Sequence, residues 1–139
     1  MFDWLANPNR FNRITENLQP FILFIAMTTM ISGLYFGLYD SPKDYQQGDA
    51  VRIMYVHVPS AWLASFLYFS LAISCVFYLV WKHPLADLVS SSIAPIGALF
   101  SALTLITGSL WGKPMWGTWW VWDARLTSML VLFFFYLGY

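Results

Sequence analysis

The chain has 139 residues, of which 59% are hydrophobic, 20% aromatic and only 10% charged, against about 25% charged in ordinary soluble domains. Seven Lys and Arg balance seven Asp and Glu, so no bulk charge draws the chain to nucleic acid or to an acidic partner. With a positive mean hydropathy, this excludes most water-soluble folds and points to an all-α, polytopic membrane bundle.

Residues 1–20, MFDWLANPNRFNRITENLQP, hold neither an apolar stretch directly behind a basic start nor a small-x-small cleavage site, so they do not read as a secretory signal. They are expected to form an interfacial lead, with Phe2, Trp4, Leu5 and Phe11 among the headgroups beside Arg10 and Arg13. Three uncharged apolar blocks follow, Phe21–Tyr39, Ser60–Trp81 and Leu88–Trp111, each near the roughly 20 residues a helix needs to cross a bilayer. Inside the third, Pro95 predicts a kink, and Gly97 and Gly108 predict close packing against neighbouring helices. A fourth block opens at Leu126 and is still apolar at Tyr139, roughly 14 residues later and short for a crossing. Residues 21–139 are therefore expected to be one transmembrane domain, incomplete at its C-terminus. The single cysteine, Cys75, lies inside an apolar block with no partner for a disulfide or redox pair, and reads as an inert small hydrophobe.

Three complete spans would place the loops at Asp40–Pro59 and Gly112–Arg125 on one side of the membrane and Lys82–Asp87 on the other. Basic residues fall on both sides, Arg10, Arg13 and Lys82 against Lys43, Arg52, Lys113 and Arg125, so their distribution does not orient the bundle. No phosphate-binding glycine loop and no nucleophile with an adjacent base is found. The chemistry is therefore sought in the two loops that share a side.

The densest feature is WGKPMWGTWWVWDARLT, from Trp111 to Thr127, which holds Trp111, Trp116, Trp119, Trp120 and Trp122, five of the eight tryptophans. If the residues after Gly117 turn helically, Trp116, Trp119, Trp120 and Asp123 share one face. Such a run is either an interfacial aromatic belt or a platform for a flat, apolar, polarizable ligand. The other loop, DYQQGDAVRIMYVHVPSAW from Asp44 to Trp62, carries a turn at Gln46, Gln47 and Gly48. It also carries His57, expected at the membrane surface just before a span opening near Pro59. A histidine there is either a satisfied interfacial residue or a metal ligand, since neutral imidazole is a common metal ligand. Arg52, Lys113 and Arg125 can hold carboxylates in the fork geometry that guanidinium favours, or can face solvent and lipid phosphate. Asp123 is expected to cap the fourth helix, to pair with Arg125, or to orient the tryptophan segment.

The tryptophan run resembles the WWD signature of the haem-handling proteins of cytochrome c biogenesis, and the Asp44–Trp62 loop resembles that of the haem exporter protein C (CcmC) branch. The resemblance covers nearly all of the chain after the N-terminal lead. It implies a bundle of about six spans in the intact protein, sitting in the bacterial inner membrane with a haem pocket at its periplasmic face. Haem b would be held there non-covalently and transiently above the WWD segment, Trp111 to Asp123, with His57 as one axial ligand and Arg52 or Arg125 at the propionates. The second family histidine comes from a later external loop that no residue here matches. His83 lies across the membrane by the parity argument, and Met54 and Met115 are the other conceivable iron ligands. The resemblance also implies transfer and not catalysis, with delivery to a periplasmic haem chaperone (CcmE-like). ABC-type transporter subunits (CcmA/CcmB-like) and a small single-span subunit (CcmD-like) would be the membrane partners. The alternatives are a haem lyase subunit of the CcmF or CcsA type, which shares the WWD signature, and a haem-free scaffold that uses its tryptophans as contact anchors.

Overall fold

A computed structural model describes residues 8–139; Phe2, Trp4 and Leu5 of the expected interfacial lead lie outside the described residues. Four α-helices follow in order: α1 (Pro8–Tyr35), α2 (Val51–Trp81), α3 (Pro84–Trp116) and α4 (Ala124–Gly138). The first three are long and apolar enough to cross a membrane, and α4 is shorter. Among the described residues there is no strand, only an isolated bridge between Asp44 and Gly48. The expected helical membrane bundle is the fold observed.

The helices run past the apolar blocks that announced them. α1 begins at Pro8 and continues through Pro20, so Arg10, Phe11 and Arg13 stand on the same helix as the first span. It then widens into a π-helical turn, Phe36–Asp40, where Gly37 is buried against Tyr55 of α2. A Cβ at Gly37 would lie 3.0 Å from that of Tyr55, so glycine is what lets the turn close on α2. α1 otherwise stands apart from the other three helices, joined to them mainly through this turn.

Two residues, Lys82 and His83, join α2 to α3. Lys82 adopts the left-handed conformation at φ 52° and donates its N–H to Tyr78 O at 2.8 Å, closing the helix. His83 is extended, as a residue before proline must be, and Pro84 opens α3 at the position where its missing N–H is harmless. The sequence KHP is thus sufficient to fold α3 back along α2.

α2 and α3 form the most extensive helix pair, with α4 laid on α3. The buried positions of α3 are Ser90, Ala94, Gly97, Ser101, Thr104, Gly108 and Gly112, a stripe of small residues that lets helix backbones approach closely where apolar burial gives no advantage over lipid. Tyr136 of α4 uses that closeness. Its ring lies over Gly97, where any Cβ would overlap it, and its hydroxyl donates to Ala64 O of α2 at 2.7 Å. Three helices are pinned by one side chain, and the buried core of Leu71, Ala94 and Tyr136 surrounds that point. Gly97 and Gly108 are the close-packing positions expected. Cys75 Sγ lies 3.8 Å from Tyr139 Oη on the periphery of this core.

Candidate functional site at one end of the bundle

The first turns of α2, the last turns of α3 and the first turns of α4 converge at one end of the bundle. The loop between α3 and α4 lies at that end with the segment before α2. Asp44 shapes the latter through an Asx turn: Oδ1 accepts from the backbone N–H groups of Gln46 at 2.9 Å and Gln47 at 2.8 Å, and Gly48 takes φ +57°. The expected turn is there, and it aims the Gln47 side chain at α3. Gln47 Oε1 accepts a hydrogen bond from Trp111 Nε1 at 2.9 Å, so the segment before α2 is tied to the last turns of α3. His83 lies beyond the far end of α2, which ends at Trp81, about 36 Å of helix from His57 at 1.5 Å of rise per residue.

His57 is not in a loop before the second span. α2 starts at Val51 and carries Pro59 in its interior, which places His57 two turns into the helix with its side chain against α3. Gly108 makes room for the ring, since a Cβ there would meet His57 Cε1 at 3.1 Å. His57 Nδ1 lies 3.0 Å from Thr107 Oγ1. The imidazole lines a cavity of about 380 Å³ together with Met54, Trp111, Trp116, Arg125 and Met129, within the size range of small-molecule sites, roughly 300–1,000 Å³. A larger groove of about 610 Å³ between α2 and α4 is lined by residues such as Tyr68, Met129 and Phe135. It holds no imidazole and no guanidinium, so the smaller cavity is the candidate site.

Two of the five clustered tryptophans enter the cavity. Trp111 and Trp116 stand edge to face, with ring centroids 5.1 Å apart at 88°, the arrangement that aromatic quadrupoles favour. The shared helical face expected for Trp116, Trp119, Trp120 and Asp123 does not form. Gly117 takes φ 76° and donates to Lys113 O at 3.0 Å, ending α3 there, and residues 117–123 run on without helical structure. Trp119 is about half exposed below Lys113 Nζ, which lies 5.8 Å from its ring centroid. Trp122 is 76% exposed and packs edge-on to Trp120 at 5.4 Å. Trp120 Nε1 is buried with no partner.

Asp123 performs two of the three roles considered for it. Its Oδ1 accepts from Leu126 N–H at 2.9 Å, capping α4, while Oδ2 accepts from Arg125 Nη2 at 2.7 Å and Nε at 3.0 Å. The capping N–H, then the Arg125 guanidinium, hold the Asp123 carboxyl below the usual carboxylate range. Arg125 also lies 5.4 Å from the Trp116 ring centroid and borders the cavity, so a fixed carboxylate on one side and an indole on another orient this cation. Arg52 is placed differently. It donates to Ser41 O at 3.3 Å and sits 3.8 Å from Asp49, outside the cavity. Asp49 is held below its usual range mainly by the hydrogen bond from Lys43. Met54 borders the cavity beside His57, and Met115 does not.

Thr107, Gly108 and Met129 belong to the site and escaped the reading of the sequence as a site. The signal was present: Thr104, Thr107, Gly108 and Trp111 recur at i, i+3, i+4 and i+7, one face of a helix. Among the described residues no three His, Cys, Asp or Glu side chains converge as they would around a bare metal ion.

The family described as Heme exporter protein C matches residues 1–139. Heme exporter protein C of Bradyrhizobium diazoefficiens is 54% identical over 137 residues, which cover 96% of this chain and 51% of that protein. The Haemophilus influenzae protein of the same name is 51% identical, over 99% of this chain and 57% of its own length. The Escherichia coli K12 protein is 47% identical, over 96% of this chain and 55% of its own. The chain spans about half the length of these curated relatives.

Proposed function

The chain belongs to the haem exporter protein C family, and on that premise we propose that it binds haem b at the cavity between α2, α3 and α4 and passes it on during cytochrome c maturation. The supporting observation is that one imidazole, two indoles and one guanidinium border a single apolar cavity. A lone imidazole suits a metal that arrives with its equatorial positions already filled, as iron does in haem. Flat aromatic faces suit the macrocycle, and a guanidinium suits a propionate.

In this reading His57 supplies one axial nitrogen, Trp111 and Trp116 supply stacking surface, and Arg125 supplies charge at the cavity edge. Trp119, Trp120 and Trp122 extend the aromatic surface outward along the loop, while Arg52, held by Ser41 O and Asp49, stays outside the cavity. Residues 21–139 are the haem-handling unit. The protein acts as a carrier and not as an enzyme: Arg125 is already paired with Asp123, and a cation shared between two carboxylates can exchange one for the other. Binding is therefore moderate and reversible, as transfer requires.

The name of the relatives points to haem as cargo, and in this proposal the site faces the periplasm from a bacterial inner membrane. The recipient is a periplasmic haem chaperone, and the membrane partners are ABC-type transporter subunits with a small single-span subunit. The test is a haem titration of the detergent-purified chain followed by absorption spectroscopy. Wild type is expected to bind with a shifted Soret band, His57→Ala to lose the axial signature, and Trp116→Ala to bind about tenfold more weakly, the equivalent of one stacking contact of about 1.4 kcal/mol. Equal haem uptake by all three would overturn the assignment of this cavity.

A further inference from the structure

The side of His57 that faces α3 is held by a chain of hydrogen bonds whose direction is decided by counting protons. Thr107 Oγ1 lies 2.6 Å from Leu103 O, 3.3 Å from Thr104 O and 3.0 Å from His57 Nδ1. A carbonyl oxygen only accepts, and a threonine hydroxyl has one proton. At 2.6 Å from Leu103 O that proton must lie between the two oxygens, because two lone pairs facing each other at that distance would repel. With its proton committed to the helix, Thr107 Oγ1 can only accept from the imidazole, and the Thr104 carbonyl is a second acceptor beside it. Nδ1 must then carry the hydrogen.

We infer that Thr107 is a positioning residue that fixes His57 as the Nδ1–H tautomer, leaving Nε2 as the nitrogen with a lone pair. The assignment rests on the proposal that His57 is an axial haem ligand and adds to it the nitrogen that binds and the group that selects it. Gly108 completes the device, because a Cβ there would sit 3.1 Å from His57 Cε1 and push the ring a few tenths of an ångström away from α3. A metal-bound histidine usually donates its second ring N–H to a neighbouring oxygen, which fixes the ring and raises the basicity of the ligating nitrogen. Here that oxygen is Thr107 Oγ1, 3.0 Å from Nδ1. The half-buried setting strengthens the bond, and the rigid i to i−4 link from Thr107 to the backbone holds the acceptor in place.

The experiment uses the haem-free chain, ¹⁵N-labelled, in detergent at pH 8, with His83→Asn to leave one histidine. The ¹⁵N resonances of the imidazole are expected to report a protonated Nδ1 and a bare Nε2. Thr107→Ser keeps the hydroxyl and is expected to keep the pattern, whereas Thr107→Val is expected to shift the proton toward Nε2. In haem titrations Thr107→Val should bind roughly 10–100-fold more weakly, and Thr107→Ser should bind close to wild type. An Nε2–H tautomer in the wild-type protein would overturn the inference without any variant at position 107, as would an unchanged tautomer in Thr107→Val. Haem uptake unaffected by His57→Ala would instead overturn the ligation reading, and the tautomer of the haem-free protein would still be read separately.

Discussion

Trp111 donates its indole N–H to the Gln47 side-chain carbonyl at 2.9 Å, tying the last turns of α3 to the turn that precedes α2. Because the acceptor comes from a loop and the donor from a helix, the bond fixes where the cavity wall stands. Gln47→Leu should leave the half-buried N–H unsatisfied and destabilise the fold by about 1 kcal/mol. Gln47→Glu, which keeps an acceptor, should not. Denaturant titration of both variants in the same micelles checks this.

Tyr136 and Gly97 define a second relationship that a double-mutant cycle can test. Gly97→Ala drives a methyl into the Tyr136 ring, and overpacking of this kind destabilises by about 1–3 kcal/mol. Once Tyr136→Ala has removed the ring, the same substitution should have little further effect. Strong non-additivity in thermal unfolding is the expected result; simple additivity would mean that the ring does not lie over Gly97.

Much of this architecture was legible because membrane solvation makes span and charge visible in the sequence. The three spans, the turn at Gly48, the close approach at Gly97 and Gly108 and the cap at Asp123 all rest on local chemistry. What escaped the sequence was decided by tertiary contact. Pro59 reads as the start of a helix, yet Tyr55 packs on Gly37 and His57 bonds Thr107, and these contacts hold a helical segment on its N-terminal side. The tryptophan run reads as a helix if continued, yet Gly117 adopts a left-handed conformation and stops it. Thr107 was invisible as a site residue because a threonine in an apolar helix is ordinary until its neighbour across the interface is known.

The cap at Asp123 should leave an acid-dependent signature. Its carboxyl is depressed by Leu126 N–H first and Arg125 second, so the folded state binds the proton less tightly than the unfolded chain, whose Asp titrates near about 3.9. The stabilisation is therefore present above that value and lost as pH falls through the lower folded value. Wild type should lose more thermal stability between pH 5 and pH 3 than Asp123→Asn, which caps without titrating. Parallel curves would contradict the pairing with Leu126 and Arg125.

Sidedness supplies the most exposed test, since the cavity needs its two loops on one face of the membrane. Tyr45 is 91% exposed in the turn before α2 and Trp122 is 76% exposed in the loop before α4, whereas Lys82 caps α2 at the opposite end. In a Cys75→Ala background, single cysteines at 45 and 122 should react alike with a membrane-impermeant maleimide on intact cells, and a cysteine at 82 should behave oppositely. The reason is physical: two adjacent full-length spans, α2 and α3, separate the first two positions, and an even number of crossings returns the chain to its starting side. A cysteine at 45 that labels while one at 122 does not would require α3 to stop within the bilayer. The contact between Gln47 and Trp111, and with it the cavity, could not then form.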